Sequence, residues 1–561
     1  MAQATMAAPQ ATPFATHSVF NQATPLENYN SFAADRALVE GVQREGGGWI
    51  VERAMEFGRK AGSAELIQQG FLADRFTPQL RTHDRYGNRI DEVEFHPAWH
   101  GLMALGIEND IHALPWNETR PGAHVARAAL YIPFIQVNEG PACPITMTFA
   151  AIPALRRLPE LAAVWEPRIR ARQYDPVLRP AQDKAGVLIG MAMTEKQGGS
   201  DVRANTSQAR PTGNGGPGGA YEIVGHKWFC SAPMCDAFLV LAQAAGGLSC
   251  FFVPRFTPDG ARNALRLQRL KDKLGNRSNA SSEIEFHNAH GVLIGEEGRG
   301  VATIIEMVRH TRLDTSLGAA AMIRHATAQA INHASGRSAF GARLIDQPLM
   351  ANVLADLALE SEAATALALR VAGTFDKGPG DAEEEKLGRL LTPIAKYWLC
   401  KRSPAVVGEA LECHGGNGYV EESIMPRLYR DAPLNSIWEG SGNVQCLDVL
   451  RALSRDPDAL GAYFDEAAKA RGADTRFDAY LEDCRAMVGD LENFEPRARR
   501  IVERLALMMQ GSLLVRHAPA AVADAFCASR LAGDHGAAFG TLPAGADHRG
   551  IVRRASPLEA A

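Results

Sequence analysis

The stretch GVATIIEMVRHTRLDTSLGAAAMIRHATAQAINHA, residues 300–334, decides the fold class of this chain. Its apolar residues recur at intervals of three and four, which is the spacing of one face of an α-helix. Residues 347–375, residues 383–414 and the residues that follow Glu439 share this period. Four long amphipathic helices with short connections predict a helical bundle in the third quarter of the chain.

The residues before this bundle have a different pattern. From about Gly186, short apolar or alternating runs are separated by Gly, Asn, Asp and Pro, which predicts a β-domain of about 110 residues. The first 180 residues and the last 110 favour helices. We therefore predict a mainly α protein with a central β-domain, divided into an N-terminal helical domain (1–184), a β-domain (185–298), a helical bundle (299–452) and an additional helical domain (453–561).

Composition narrows the class of protein. A chain of 561 residues suggests about three or four domains. A hydrophobic content of 46% and a charged content of 22% are typical of globular proteins. Because the net charge is −5, an anion-binding surface would have to be local.

Cysteine usage and the chain start bear on location. The nine cysteines form no CxxC pair, and an odd number favours a reducing compartment. The start, MAQATMAAPQATPF, lacks the features of a signal peptide. The apolar run FLVLAQAAGGLSCFFV, residues 238–253, predicts two strands and a turn, not a membrane span. We therefore expect a cytoplasmic protein without a metal site.

Two neighbouring motifs in the β-domain are typical of a binding site. In MTEKQGGSDV, residues 193–202, a strand ends in a loop whose glycines and hydroxyls allow close approach of a flat or phosphorylated ligand. In GHKWFCS, residues 225–231, a strand contains a tryptophan, which from residue type alone is more often a core residue. No GxGxxG follows a first strand, so a Rossmann dinucleotide site is not supported.

One carboxylate interrupts the sequence NSIWEGSGNVQ, residues 435–445. Glu439 lies between a tryptophan and a run of small residues, directly before the fourth helix of the bundle. One interpretation is an acid that favours the positive end of that helix. The other is a general base facing a buried reactant.

Together these motifs resemble the acyl-CoA dehydrogenase family. TEKQGGSDV, the HKW strand, R-x-x-FG with a following Gln, GGNGY and RDA…WEGSGN occur in the family's order over roughly residues 140–450. The resemblance implies the family fold, with an N-terminal helical domain, a β-barrel-like domain and a C-terminal four-helix bundle, bound FAD, and a homotetramer built as a dimer of dimers. LKDKLGNRSNAS, the opening HSVFNQATPLENYN and the extra C-terminal segment are similar to the adaptive-response subgroup, whose members limit DNA alkylation damage.

The resemblance assigns the cofactor site residue by residue. Thr194 and the backbone around it would contact the flavin ring, Ser200 would lie near the pyrophosphate or the substrate, and Trp228 would pack on the flavin. Arg337, Phe340 and Gln347 would reach the adenine half of FAD across a dimer interface. The full set of cofactor residues implied is Met191, Met193, Thr194, Gly199, Ser200, Trp228, Phe229, Cys230, Ser231, Arg337, Phe340, Gln347, Gly415, Gly416, Ile437, Trp438, Ser441 and Asn443. The implied substrate contacts are Thr194, Ser200, Ser231 and Asn443.

The resemblance also makes Glu439 the catalytic base, which removes the proton from the α-carbon of an acyl thioester. Burial beside an apolar ring would raise the pKa of this carboxyl, and the nearby helix N-terminus would lower it. The sequence leaves the net direction open. In some family members the base lies on the helix after the β-domain, where this chain has Thr311, so that alternative is not available here.

The chain departs from the usual family pattern at several positions. Lys196 and Gln197 replace the usual Pro-Gly, Cys230 replaces the threonine that bonds the flavin, and Glu412 replaces a glutamine. These departures predict weak dehydrogenase activity on a short branched substrate such as isovaleryl-CoA. The alternatives are an ordinary metabolic acyl-CoA dehydrogenase without a DNA role and a DNA-binding scaffold with structural FAD.

The subgroup resemblance further implies binding of double-stranded DNA by the last domain. Arg497, Arg500 and Arg504 are spaced to share one helix face, and Arg553 belongs to a second basic cluster. Because this domain has slightly more acidic than basic residues, charge alone favours an ordinary solvated helix face.

Overall fold

The N-terminal part is mostly helical. A computed structural model describes residues 16–489 and 494–558; the start of the chain, for which no signal peptide is expected, lies outside them. The helices are α1 (Arg36–Arg44), α2 (Val51–Ala61), α3 (Ala64–Arg75), α4 (Pro97–Glu108), α5 (Leu114–Asn117), α6 (Ala123–Val137), α7 (Ala142–Leu155) and α8 (Pro159–Ile169). Helices α6 and α7 are buried on nearly all sides and form the base on which the other domains pack.

The helical prediction for this part missed a β-hairpin. Strands β1 (Gln79–His83) and β2 (Arg89–Glu94) pair antiparallel. The Asp84 carboxylate accepts hydrogen bonds from the backbone N–H groups of Tyr86 and Asn88, which fixes the turn. The strands are short and largely polar, so their apolar alternation is too weak to distinguish them from a loop.

The middle of the chain forms the predicted β-domain. Its strands are β3 (Ile189–Ala192), β4 (Gln208–Pro211), β5 (Ala220–Ser231), β6 (Ala237–Ala244), β7 (Gly247–Pro254), β8 (Leu265–Leu270) and β9 (Ser281–Ile294). The predicted turn in the long apolar run is confirmed as the β6–β7 hairpin. Strand β5 pairs with β9, and its register shifts between Lys227 and Cys230. This irregularity lies beside the tryptophan motif.

The predicted bundle follows. It contains α9 (Gly300–Gly336), the small hairpin β10 (Ser338–Ala339) and β11 (Ala342–Arg343), α10 (Pro348–Lys377), α11 (Ala382–Cys413), α12 (Met425–Asp431) and α13 (Gly442–Arg455). The four long helices are those that the apolar period predicted. Arg127 of α6 forms a bidentate ion pair with Asp314 of α9, and both side chains are fully buried. The first domain and the bundle are thus locked together.

The last part consists of α14 (Pro457–Ala468), α15 (Thr475–Gly489), α16 (Phe494–His517), α17 (Ala520–Phe526) and α18 (His548–Ala555). Buried polar contacts fix it to the bundle. Arg370 of α10 pairs with Glu466 of α14, and the Trp398 indole N–H donates to Gln510 of α16. In the two described ranges, no helix combines the length and the apolar character that a membrane crossing requires.

Candidate functional site

Glu439 lies in a sharply bent loop between α12 and α13. Its φ is +57°, in the left-handed region, and the following Gly440 has a φ of +100°. A left-handed conformation costs a non-glycine residue about 1–2 kcal/mol. Such a conformation persists only where surrounding contacts impose it, and it often marks a functional position.

Three helices impose this conformation through the backbone carbonyls of the loop. The Arg312 guanidinium (α9) donates to the Glu439 carbonyl at 3.1 Å. The Lys396 ammonium (α11) donates to the carbonyls of Trp438 and Gly440 at 2.8 and 2.6 Å. The Gln445 amide (α13) donates to the Glu439 carbonyl at 2.9 Å. The loop therefore has one defined shape, which aims the carboxylate.

The carboxylate itself meets Thr311. The Thr311 hydroxyl donates to Glu439 Oε2 at 2.5 Å. Burial raises the pKa of Glu439, while the Thr311 hydrogen bond and the charges of Lys396 and Arg312 lower it. The net shift is upward, because burial outweighs these effects. Thr311, the position at which the resemblance implies an alternative base in other family members, thus contacts Glu439 in this chain.

Trp438 is held by a second chain of contacts. Its indole N–H donates to Asn435 Oδ1 at 2.9 Å, and the Asn435 amide donates to Glu139 at 2.9 Å. Asn435 and Glu139 are buried, whereas Ile437 is exposed. The Trp438 indole is therefore anchored to buried polar side chains, next to Glu439 in the chain.

The first predicted flavin loop lies against the tryptophan strand. The Trp228 backbone N–H donates to the Thr194 carbonyl at 2.8 Å. Trp228 is partly exposed and Phe229 is exposed. The Lys271 ammonium lies 3.1 Å from the centroid of the Trp228 ring. An aromatic surface with an adjacent cation suits a planar, electron-accepting group.

A buried ion pair that the sequence analysis missed lies under this loop. Lys227 donates to Glu195 Oε1 at 2.8 Å, and neither side chain has exposed surface. The Glu195 carboxylate also accepts from the backbone N–H groups of Thr206 and Ser207. The sequence signal that could have revealed this pair was a lysine within the strand that carries the tryptophan motif.

The other residues predicted for this loop and strand differ in their exposure to solvent. Met191, Met193, Thr194 and Gly199 are half-buried, and Ser200 is exposed. Cys230 has no exposed surface, and burial raises its thiol pKa to about 12. The structure therefore does not bring the Cys230 side chain to the face formed by Trp228 and Phe229. Its sulfur points into the sheet, whereas Ser231 is partly exposed.

A second group of predicted residues surrounds the end of α11. A cavity of about 260 Å³ there is lined by Arg337, His414, Gly415 and Gly416. A separate cavity of about 280 Å³ lies against α8 and contains none of the predicted site residues. A Cβ at either glycine would meet no atom within 4 Å, so the backbone there is open to a ligand. Phe340 is fully exposed at the tip of the β10–β11 hairpin.

The remaining predicted residues of this group lie at the starts of two helices. The Gln347 amide donates to the Ala339 carbonyl at 3.0 Å, which ties the hairpin to the start of α10. Ser441 precedes α13 directly. Asn443 Oδ1 accepts from the Arg499 guanidinium of α16 at 2.8 Å. The additional C-terminal domain thus touches the first turn of the helix that follows Glu439.

The predicted DNA-contacting arginines lie on two helices. Arg497, Arg500 and Arg504 are on α16, and Arg553 is on α18. Arg500 and Arg553 are exposed. Arg504 pairs with Asp483 at 3.3 Å and lies 4.2 Å from the Tyr480 ring centroid, so its charge is partly engaged. Two of the four predicted arginines are therefore exposed.

The residues predicted to hold the cofactor have side chains and backbone that fit a flavin dinucleotide. The partly exposed Trp228 and the exposed Phe229 offer a surface for a ring system. The open glycines 415 and 416, with Arg337 beside them, offer a backbone surface and a positive charge for an anionic or heteroaromatic group.

Protein-family models match three successive parts of the chain. The adaptive response protein AidB N-terminal domain matches residues 21–176. The acyl-CoA dehydrogenase middle domain matches residues 190–289, and the acyl-CoA dehydrogenase C-terminal domain matches residues 298–454. The matched regions follow the order of the structural parts described above.

Individual relatives extend this similarity. The chain is 48% identical over 514 residues to AidB of Escherichia coli (strain K12), which covers 91% of this chain and 94% of the relative. The structure of Caenorhabditis elegans ACDH-11 in complex with C11-CoA aligns with a TM-score of 0.83 at 26% identity, covering 92% of each chain. A structure described as Bd2924 apo-form aligns with a TM-score of 0.81 at 28% identity, covering 89% of this chain and 99% of that one. The chain therefore belongs to the acyl-CoA dehydrogenase family, in its AidB group, and is an FAD-containing oxidoreductase of the acyl-CoA dehydrogenase type.

Proposed function

We propose that Glu439 is the base that removes the α-carbon proton of a short acyl-CoA, with low turnover on branched substrates such as isovaleryl-CoA. The observation that supports this role is the imposed left-handed conformation, which holds a partly buried carboxylate of raised pKa against Thr311. Bound FAD supplies the acceptor for the hydride from the β-carbon. Anaerobic bleaching of the flavin absorbance by acyl-CoA esters tests the proposal.

The contacts of Glu439 support its role as a general base in different ways. A carboxylate is an effective general base when its pKa lies near the operating pH. Burial raises the pKa of Glu439 in that direction. Thr311 orients the carboxylate, and its hydrogen bond favours the ionised form that can accept a proton. Arg312 and Lys396 fix the backbone without forming an ion pair with the carboxylate, which leaves its oxygens available to the substrate.

The pH dependence of flavin reduction should report this environment. Only ionised Glu439 can take a proton, so the rate should fall as the pH drops through its raised pKa. Thr311→Val removes a hydrogen bond that lowers this pKa. The acid limb should therefore move to higher pH by about one unit, the size expected for a hydrogen bond to a charged group. Reduction rates measured across a pH series test this shift.

Thr315→Val is the matched control for that substitution. Thr315 lies one turn further along α9, and its hydroxyl donates to the Thr311 carbonyl at 2.8 Å. Both substitutions exchange a threonine for an isosteric valine, and Thr315 does not touch Glu439. An acid limb that moves equally in both variants, or in neither, would contradict the assigned role of Thr311.

We further propose that residues 299–452 mediate a homodimer that pairs into a tetramer. Phe340, Leu349 and Tyr419 are large apolar side chains at least four-fifths exposed, and each lies within five residues in sequence of a residue that lines the open cavity at the end of α11. A second copy that covers these side chains would bring Phe340, Arg337 and Gln347 to the adenine half of its cofactor. The proposal uses the four domains predicted from the sequence, with limits 1–184, 185–298, 299–452 and 453–561.

A second proposed function is binding of double-stranded DNA by the last domain, with protection from alkylation damage in the cytoplasm. It is supported by the similarity to an adaptive response protein and by the exposure of Arg500 and Arg553. Neither arginine forms an ion pair with a carboxylate in the part of the chain that the structure describes. Their charges are thus available to phosphates without breaking internal contacts.

Salt dependence should identify the phosphate contacts. In gel shifts with duplex DNA, the logarithm of the affinity should fall linearly with the logarithm of salt concentration. Arg500→Ala with Arg553→Ala should weaken binding and reduce the slope by about two for each chain engaged. Arg471→Ala, which removes an exposed arginine paired with Glu482, should leave the slope unchanged. Binding that is unmeasurable at low salt, or indifferent to salt, would exclude the DNA role.

A further inference from the structure

A partly buried cation lies in the loop between β8 and β9. The Lys273 ammonium donates to the Asn279 carbonyl at 2.7 Å and to the Ser281 hydroxyl at 3.1 Å. Burial lowers its pKa to about 8. It forms no ion pair with a carboxylate within 4.0 Å in the described residues. Its positive charge is therefore uncompensated at close range.

This cation is connected to the candidate site through hydroxyl groups. The Ser281 hydroxyl lies 3.3 Å from the Ser231 hydroxyl. Ser231 ends β5, three residues after Trp228, and is one of the residues predicted to contact substrate. Lys273, Ser281 and Ser231 thus form a polar path from the loop to the cofactor face.

An unsatisfied amide lies beside this path. The Asn279 side chain is only 2% exposed, and neither its amide nitrogen nor its oxygen has a hydrogen-bond partner in the described residues. A buried polar group without a partner carries a large desolvation cost, so native structures supply it with a ligand or water. Asn279 therefore marks a place where a hydrogen-bonding group is missing.

Contacts through the segment before α7 connect the Asn279 loop to the tryptophan beside the proposed base. A Cβ placed at Gly140 would lie 3.0 Å from the Asn279 backbone nitrogen. The adjacent Glu139 accepts from the Asn435 amide, and Asn435 Oδ1 accepts from the Trp438 indole N–H. This side of the candidate site therefore carries polar side chains.

We propose that Lys273, Asn279 and Ser231 recognise an oxygen acceptor on the acyl part of the acyl-CoA substrate. The substrate class is a short acyl-CoA with a carbonyl or carboxylate oxygen toward the end of its acyl chain, and Lys273 favours the carboxylate. The inference rests on the proposed role of Glu439, which places the acyl group on this side of the candidate site. A plain hydrocarbon chain would leave the Asn279 amide unpaired, so purely hydrocarbon acyl chains should bind more weakly.

Binding of three five-carbon esters tests the proposal. Pentanoyl-CoA, 4-oxopentanoyl-CoA and glutaryl-CoA differ mainly in the end of the acyl chain. Their dissociation constants are measured by titration calorimetry of FAD-loaded Glu439→Gln protein, in which the substrate does not turn over. We expect the two oxygen-bearing esters to bind about tenfold more tightly than pentanoyl-CoA.

Two substitutions should separate the contributions of Asn279 and Lys273 to this binding preference. Asn279→Leu should remove most of it and improve pentanoyl-CoA binding, whereas Lys273→Met should weaken glutaryl-CoA most. Asn109→Leu and Lys469→Met, which replace an amide and a lysine in α4's cap and in the last domain, should change no preference. Equal binding of the three esters, or equal losses for all three in the Asn279 and Lys273 variants, would overturn the proposal.

The result also separates this inference from the role of Glu439. If Glu439→Gln still allows fast flavin bleaching, the base assignment fails whatever the ester preference. If Glu439→Gln stops bleaching but the esters bind alike, the base assignment stands and the oxygen site is wrong.

Discussion

Replacing Glu439 by Gln should lower the rate of flavin reduction by acyl-CoA at least about 10³-fold, as expected for removal of a positioned general base. The amide is nearly the same size as the carboxylate, so the bent loop and its contacts to Arg312, Lys396 and Gln445 should survive. What disappears is the ability to accept the α-carbon proton. Stopped-flow measurement of flavin bleaching under anaerobic conditions gives the rate directly.

Glu362→Gln is the matched control for this substitution. Burial also raises the pKa of Glu362, and its carboxylate pairs with Arg554 at 2.8 Å, on the face of α10 that meets α18. It should reduce stability without affecting the rate of bleaching in the folded protein. Reduction at an unchanged rate in Glu439→Gln, with acyl-CoA still bound, would show that another group takes the proton.

The fold could largely be predicted because its main signals are local and repeated. The apolar period of residues 300–334 predicts α9, which the structure places at Gly300–Gly336. The hairpin β1–β2 was missed because its short strands carry mostly polar residues, and register and pairing there depend on a turn fixed by Asp84. Long periodic elements are visible in a sequence, and short polar ones are not.

The site was predictable as a set of positions but not as an environment. The motifs locate Glu439, but the direction of its pKa shift depends on how burial compares with Thr311, Lys396 and Arg312. Those three residues come from two other helices, so no local pattern reveals them. The same holds for Asn279, whose side chain is seen to be buried without a hydrogen-bond partner only in the folded chain.

Cys230 shows a different limit. An aligned motif gives the position of a residue along β5, and strand alternation gives its face only if the register is regular. The register of β5 against β9 shifts between Lys227 and Cys230. The exposed face around this irregularity is therefore made by Trp228 and Phe229, and the thiol is buried, which the motif alone could not show.

The buried pair Lys227–Glu195 supports both the fold and the predicted flavin loop, and breaking it should have a large effect. Lys227→Met should lower the free energy of unfolding by about 3–5 kcal/mol, because it leaves the Glu195 carboxylate buried without its counter-charge. The Lys227 ammonium also donates to the carbonyls of Leu241 and Met193. Its loss should therefore loosen Met193 and Thr194 and lower the FAD content of the purified protein.

A second buried pair separates the two effects. The Lys184 ammonium donates to Asp236 Oδ1 at 2.8 Å, both side chains are 4% exposed, and Asp236 also accepts from the Leu188 backbone N–H. Lys184→Met should destabilise the protein to a similar extent in urea unfolding, because it also strands a buried carboxylate. Lys184, however, does not contact residues 193–200, so the FAD content of the folded fraction should remain normal. If both variants lost FAD equally, the cofactor would be reporting general stability, and the Lys227–Glu195 pair would have no specific part in holding the flavin loop.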